Sequence, residues 1–247
     1  MNYIDFHVHI DYYKNSKDIF DYYNKNKIYT LFVTNLPEAY EKCFLNINTS
    51  KYVKIALGYN PQFAGIKQFN KSIFDKYFDT TKYIGEVGLD FSRNFIKHKK
   101  SQLETFDYIA YKAGKGNKIL SIHSRNAEKD VLNILQKNNV KFAVFHWYSG
   151  IDTINKIVDL GYYFSINYSM LNSKKGRIII SHIPIDRVLI ETDGPFVKYK
   201  QKPIFPNDLP HIYNSFSKVF GNREFNKIVF NNLKKLLYKN QSLFVQS

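Results

Sequence analysis

The chain has 247 residues, of which 44% are hydrophobic, so it can bury a large core and is not a disordered polymer. Lys and Arg number 36 against 21 acids, a formal charge of +15, and such a field attracts polyanions without identifying a fold. The single cysteine, Cys43, excludes an intrachain disulfide framework and fits a reducing compartment.

Short apolar runs rich in Ile, Val, Phe and Tyr recur at roughly 2–7, 28–35, 52–58, 82–87, 118–123, 141–146, 162–167 and 187–193. They read as strands covered on both faces. Between them lie stretches of helical period, such as Ala127 to Asn138 with Val131, Leu132 and Leu135 on one side. Eight strands alternating with helices predict an α/β fold, a single (β/α)8 TIM barrel over 1–247. Lys202 to Pro210 holds three prolines and reads as a loop. Ile212 to Phe220 and Glu224 to Tyr238 read as closing helices, broken at Gly221-Asn222. No basic segment leading into an apolar stretch opens the chain, and no apolar run is long enough to span a bilayer. The expectation is a cytoplasmic protein with no membrane contact. The 20 Tyr and 21 Phe accompany abundant Lys, Asn and Ile, and we read them as compositional bias rather than as a binding surface.

His7 and His9 form His-Val-His, and residues two apart on a strand share a face, so both rings are expected inside the barrel. Alone this pattern is weak. Strand four ends in Gly85-Glu86-Val87-Gly88-Leu89-Asp90, where a carboxylate on an apolar strand is costly to bury unless paired or metal-bound. Strand five ends in Ser121-Ile122-His123-Ser124-Arg125, and strand six in Phe145-His146-Trp147-Tyr148-Ser149-Gly150. Strand eight ends in Glu191-Thr192-Asp193-Gly194-Pro195. In a TIM barrel these ends converge on one mouth. Four of the seven histidines therefore meet two carboxylates there, a cluster hard to satisfy without a metal. His98, among Lys97, Lys99 and Lys100, is expected to be solvated; His182 and His211 read as surface or structural, and Cys43 as inert.

These ordered motifs, with Asp5-Phe6-His7-Val8-His9 at their head, resemble the TatD family of metal-dependent deoxyribonucleases over almost the whole chain. Gln102, Phe106, Asn232 and Leu236 resemble it too. The resemblance implies a barrel of the metal-dependent hydrolase type holding two divalent ions. His7, His9 and Asp193 would hold one, His123 and His146 the other, with Glu86 bridging. Imidazole and carboxylate ligands suit Mg2+, Mn2+ or Zn2+ alike. Asp193 and Glu86 are the expected catalytic pair, Asp193 orienting or deprotonating the attacking water. Arg125 is expected either to contact a phosphate or to make a salt bridge at the rim.

One segment departs from the family. Where TatD nucleases carry Gly-x-His-Pro-His, this chain has Gly58-Tyr59-Asn60-Pro61-Gln62. The resemblance puts Asn60 and Gln62 beside the substrate phosphate, so rate or substrate choice is expected to change while metal binding survives. Three basic clusters follow strands four, seven and eight: Lys97/Lys99/Lys100, Lys174/Lys175/Arg177 and Lys198/Lys200/Lys202. Around the mouth they would guide a nucleic-acid backbone, Lys198 and Lys200 foremost. The expected activity is hydrolysis of DNA, with RNA as a further candidate substrate.

Val33-Thr34-Asn35, Leu120 to Arg125, His146 to Gly150, Lys175-Gly176-Arg177 and Thr192 to Phe196 resemble a narrower group. That group is QatD, the TatD-like component of the four-protein Qat anti-phage defence system, which implies other Qat proteins as partners. Two other readings stay open. Related barrels hydrolyse other esters and amides, including acyl groups on tRNA. A defence subunit with weak or partner-gated catalysis is the other.

Overall fold

The computed structural model describes residues 3–244, with side chains to Gln241, so Asn2 of the first expected strand and the ends of the 1–247 span lie outside the described residues. Strands β1 (Ile4–Val8) and β4 (Tyr83–Asp90) are buried at every position. A strand covered on both faces has no polar side to alternate with, which is why these segments read as unbroken apolar runs. Strands β2 (Tyr29–Phe32) and β3 (Val53–Ile55) pair parallel in the order β1-β2-β3. From β4 a second parallel run continues through β5 (Ile119–Arg125), β6 (Phe142–His146), β7 (Tyr163–Ile166) and β8 (Val188–Ile190).

Two seams close these runs into one (β/α)8 barrel. Leu57 bridges to Ile84, and Val8 bridges to Gly194, both in parallel sense. At the first seam Leu57 N–H donates to Tyr83 O and Gly85 N–H to Leu57 O, both at 3.0 Å. At the second, Asp193 N–H donates to His7 O at 3.0 Å and His9 N–H to Gly194 O at 2.9 Å. Gly58 is required at the first seam: a Cβ there would lie 1.9 Å from Thr34 O and 2.5 Å from Gly85 O.

Helices cover the outside. They are α1 (Ser16–Lys25), α2 (Pro37–Asn46), α3 (Lys71–Tyr77), α4 (Lys99–Lys115), α5 (Glu128–Lys137), α6 (Ile154–Asp159), α7 (Tyr168–Asn172), α8 (Lys174–His182), α9 (Leu209–Val219) and α10 (Phe225–Phe244). In α5 the expected stripe of Val131, Leu132 and Leu135, with Ile134, is buried. Among the described residues no helix is long and apolar enough to cross a membrane.

The structure departs from the sequence expectation at the strand ends. The expected strands 28–35, 52–58 and 187–193 stop early, at Phe32, Ile55 and Ile190. Past these points side chains and loops replace the ladder: Thr34 Oγ1 donates to Ala56 O at 2.9 Å and accepts from Gly58 N–H at 3.1 Å. Lys202 to Pro210 is not wholly a loop, because β9 (Lys198–Tyr199) and β10 (Lys202–Pro203) form an antiparallel hairpin. Helix α9 starts at Leu209, earlier than Ile212, since Pro210 falls in its first turn, where a missing N–H costs nothing.

The strands that carry His7 and Glu86 are both bulged. Between β1 and β2 the register runs from Asp5–Thr30 to Val8–Phe32, and between β4 and β5 from Ile84–Leu120 to Val87–Ile122. Each slip inserts one extra residue, at Phe6-His7 and at Gly85-Glu86, and a bulge re-aims the side chains beside it. Simple alternation from His7 to His9 is therefore not the reason both rings face inward; His9 lies beyond β1, at the start of a 3-10 turn (Ile10–Tyr12).

Candidate metal centre

The bulge at His7 buries its ring completely and sets Nδ1 2.8 Å from Ser121 Oγ on β5. With the Nδ1–H donating to that hydroxyl, the Nε2 lone pair faces the site. His9 Nε2 lies 3.2 Å from His7 Nε2, and 3.5 Å from both Glu86 Oε2 and Asp193 Oδ1. Asp193 stands past the end of β8 in the left-handed region, φ 47°, with its N–H bonded back to His7 O. Its Oδ1 is 3.8 Å from His7 Nε2.

Opposite them, His123 at the end of β5 lies between two carboxylates of β4. Its Nδ1 is 2.7 Å from Glu86 Oε1 and its Nε2 2.9 Å from Asp90 Oδ2. Gly88, between those acids, passes directly over the His123 backbone with φ 136°, and a Cβ would lie 2.0 Å from His123 O. His146 Nε2 reaches Glu86 Oε1 at 3.1 Å, while its Nδ1 faces Glu191 Oε1 at 3.4 Å without hydrogen-bond alignment. The His7 and His146 rings stack at 3.9 Å.

Charge follows geometry. Burial pushes the Glu86 carboxyl up, but hydrogen bonds to His123 and His146 outweigh it and hold Glu86 well below the usual carboxylate range. Burial pushes His146 and His123 down, yet Glu191 and Glu86 raise His146 well above its ordinary value, and Asp90 and Glu86 raise His123. His7, deep in the barrel beside His146, is lowered by burial. Burial also lifts Asp5 to about 7, against hydrogen bonds from Tyr23 and Thr192 that pull it down.

Three sets draw their ligand atoms within 4.8 Å of one another: His7, His9 and Glu86; His7, His146 and Asp193; and Glu86, His123 and His146. Buried imidazoles with inward lone pairs beside buried carboxylates are the donor set of a divalent metal, and the arrangement fits one.

Over residues 4–238 the chain matches the family model described as TatD related DNase. The chain belongs to the TatD family. As a TatD-family protein it is a metal-dependent hydrolase. It is 30% identical over 208 residues to an uncharacterized metal-dependent hydrolase of Buchnera aphidicola, covering 78% of each chain. It is also 30% identical over 142 residues to the 3'-5' ssDNA/RNA exonuclease TatD of Edwardsiella piscicida, 52% of this chain and 54% of that one. Its fold matches the crystal structure of YJJV, a TatD homologue of Escherichia coli, with a TM-score of 0.79 at 19% identity, over 95% of this chain and 97% of the other.

In this TatD-family barrel the six expected ligands, His7, His9, Glu86, His123, His146 and Asp193, meet at one mouth. Asn60 and Gln62 line the same cavity, but their amides are engaged with protein carboxylates. Asn60 Nδ2 donates to Glu86 Oε2 at 2.6 Å, and Gln62 Nε2 to Asp90 Oδ2 at 2.9 Å. Arg125 is exposed on the cavity wall, and among the described residues it makes no ion pair. The three lysine-rich clusters are exposed, and none of their residues lines the cavity. Arg177 instead donates to Leu171 O at 2.9 Å, a local structural bond. His98, expected to be solvated, is half-buried with its ring over the Cα of Gly65, where no side chain stands in the way.

Sequence reasoning gave no role to the residues that brace the expected ligands: Ser121, Asn35, Asp90, Glu191 and Asp5. Glu191 accepts from Asn167 Nδ2 at 2.9 Å, from Trp147 N–H at 3.1 Å and from Ser165 Oγ. Asp5 accepts from Thr192 N–H at 2.8 Å, bracing the turn that carries Asp193. The signal was present: Asp5, Asp90 and Glu191 are acids in or beside otherwise apolar strands, which burial permits only with partners.

Proposed function

We propose that this hydrolase cleaves phosphodiester bonds of DNA, and of RNA as a second substrate, at a centre of two divalent ions. Glu86 carries the reading. Its Oε1 faces His123 Nδ1 at 2.7 Å and His146 Nε2 at 3.1 Å; its Oε2 faces His9 Nε2 at 3.5 Å and His7 Nε2 at 4.0 Å. A carboxylate that turns one oxygen to each pair of histidines supports two ligand sets sharing Glu86. His7, His9 and Asp193 would hold one ion, and His123 and His146 the other. Mg2+, Mn2+ and Zn2+ all accept these donors. When bound, such ions polarise a phosphoryl oxygen and lower the pKa of a water.

The chain's own residues do the rest. Asp193, 3.5 Å from His9, orients the attacking water and takes its proton. The exposed Arg125 guanidinium on the wall offers a planar fork to a phosphate. Asn60 and Gln62 act through Glu86 and Asp90. Lys198 and Lys200, on the hairpin after Asp193, meet the backbone outside the cavity. The name of the Edwardsiella relative, an exonuclease of single strands, supports an unpaired substrate.

The test is a panel of labelled single- and double-stranded DNA and RNA with Mg2+, Mn2+ and Zn2+, wild type beside Asp193→Asn. Cleavage by the wild type alone is expected. No cleavage of any strand with any ion would overturn the reading.

The motifs Val33-Thr34-Asn35, His146 to Gly150 and Lys175-Gly176-Arg177 support a finer reading, in which the enzyme acts in the cytoplasm in anti-phage defence with other Qat proteins. Loss of phage protection in Asp193→Asn cells, with co-purification of the other Qat proteins, is expected. Full protection in those cells would rule out a role for cleavage.

A further inference from the structure

The metal centre opens through a cavity of about 470 Å3, the size class that encloses a small-molecule-sized unit. Three large aromatic residues stand on its wall with substantial exposure: Tyr12 at 46%, Trp147 at 39% and Phe196 at 51%. Scattered single aromatics on a surface are ordinary, but three on the rim of one cavity are not. Here composition is an insufficient account of the aromatics.

Each of the three is held. The Tyr12 and Phe196 rings meet edge to face at 4.9 Å, and both rest against the imidazole of His9, at 5.9 Å and 5.0 Å. The chain's only tryptophan directly follows His146 and stands in the left-handed region, φ 36°, which bulky residues rarely adopt. Two acceptors pin its backbone N–H there, Ser165 O at 3.2 Å and Glu191 Oε1 at 3.1 Å. Such strain persists only where the surroundings enforce it, and it clusters at functional sites. Here it holds an indole at the edge of the centre instead of in the core.

We infer that Tyr12, Phe196 and Trp147 form a base-stacking lip that holds an unpaired base of the strand entering the metal centre. The inference rests on the nuclease reading and adds what it lacks: a part of the site that touches bases rather than phosphates. A π-face is common to every base, so aromatic stacking binds strands without regard to sequence. A base inside a duplex keeps both faces stacked and cannot lie on the lip until it is unstacked. Arg125, on the same wall, remains for the phosphate.

The experiment is a titration of the metal-free protein, in which no cleavage is expected, with two labelled single-stranded DNA oligonucleotides of equal length. One carries all its bases, and the other has abasic sites at its 3' end. Label anisotropy reads affinity, and selectively excited tryptophan fluorescence reads Trp147. The base-bearing strand is expected to quench Trp147 and to bind about tenfold more tightly, the size of a single aromatic–base stack. Trp147→Leu, Tyr12→Leu and Phe196→Leu each reduce that discrimination, and Trp147→Phe retains most of it. Equal affinity for both strands with unchanged fluorescence, in a protein that still cleaves DNA when metal is added, overturns the lip and leaves the nuclease reading standing. Absence of both binding and cleavage overturns both.

Discussion

The side-chain amide of Asn60 donates to Glu86 Oε2 across 2.6 Å, and the same nitrogen reaches Asn35 Oδ1 at 2.9 Å. Asn35 in turn stands 3.2 Å from His9 Nδ1, so a line of amides joins Glu86 to His9. Removing the donor in Asn60→Ala leaves Glu86 free to turn. The expected loss is ten- to hundredfold in metal affinity, roughly the effect of losing a partner that orients a ligand. Asn60→Asp removes the same donor but sets a second carboxylate beside Glu86, a like-charge repulsion that a bound cation relieves, so its loss of metal affinity is expected to be smaller than that of Asn60→Ala. Calorimetric titration with Mn2+ or Zn2+ checks both; an unchanged Asn60→Ala would remove the amide from any positioning role.

Asp193→Asn keeps the shape of the side chain and removes its charge. Cleavage is expected to fall at least 10²- to 10⁴-fold, roughly the share of a general base. The melting temperature should move little, because the turn is held by the Asp193 N–H to His7 O and by Asp5 to Thr192. Cleavage and thermal unfolding of the same sample separate a chemical role from a structural one.

Reversing Lys198, Lys200 and Lys202 to Glu should weaken binding to single-stranded DNA. If each lysine meets one phosphate, the slope of log affinity against log salt becomes shallower by about 2. The measurement is binding across a salt series. An unchanged slope would leave the hairpin outside the nucleic-acid path.

Protons compete with metal for the same ring nitrogens. Burial lowers His9, His123 and His146, but neighbouring carboxylates raise all three above the ordinary value, so protons hold those rings at a pH where a free imidazole is neutral. Metal affinity should therefore fall as pH drops, beginning above about 6.5. Without metal, these raised values stabilise the fold fully below about 6.5, and that contribution is lost as pH rises through the folded values. Glu86, held low, contributes above about 4.3 and loses its share as pH falls through its folded value, while His7, lowered by burial, subtracts below about 6.5. Melting temperatures with chelator and with excess metal across this range should diverge as pH rises. Metal at a hundredfold its Kd adds about 2.7 kcal/mol.

Burial pushes the Cys43 thiol up to about 11. Thiolate is the reactive form, so at pH 8 only about one molecule in a thousand carries it, against roughly a quarter for an ordinary thiol. Alkylation of the native protein should be slow and rise tenfold per pH unit, approaching its plateau near pH 11; unfolded protein should react far faster. Rapid native labelling at neutral pH would contradict the burial.

The barrel and the candidate metal-binding residues were legible in the sequence. Apolar runs at regular spacing are what eight strands buried on both faces must look like, and His7, Glu86, His123, His146 and Asp193 stand out because polar groups on such runs need partners. Strand boundaries were less legible, since at Phe32, Ile55 and Ile190 side-chain bonds and seams take over from the ladder with no change in hydrophobicity. How these side chains face one another follows from contacts between distant segments. The bulges at Phe6-His7 and Gly85-Glu86 depend on the partner strand's register, which a single segment does not encode. The same holds for Asn60 on Glu86, Gln62 on Asp90, and the meeting of Tyr12, Phe196 and Trp147 at one rim. These residues lie far apart in the chain, and only closure of the barrel brings them within reach of one another.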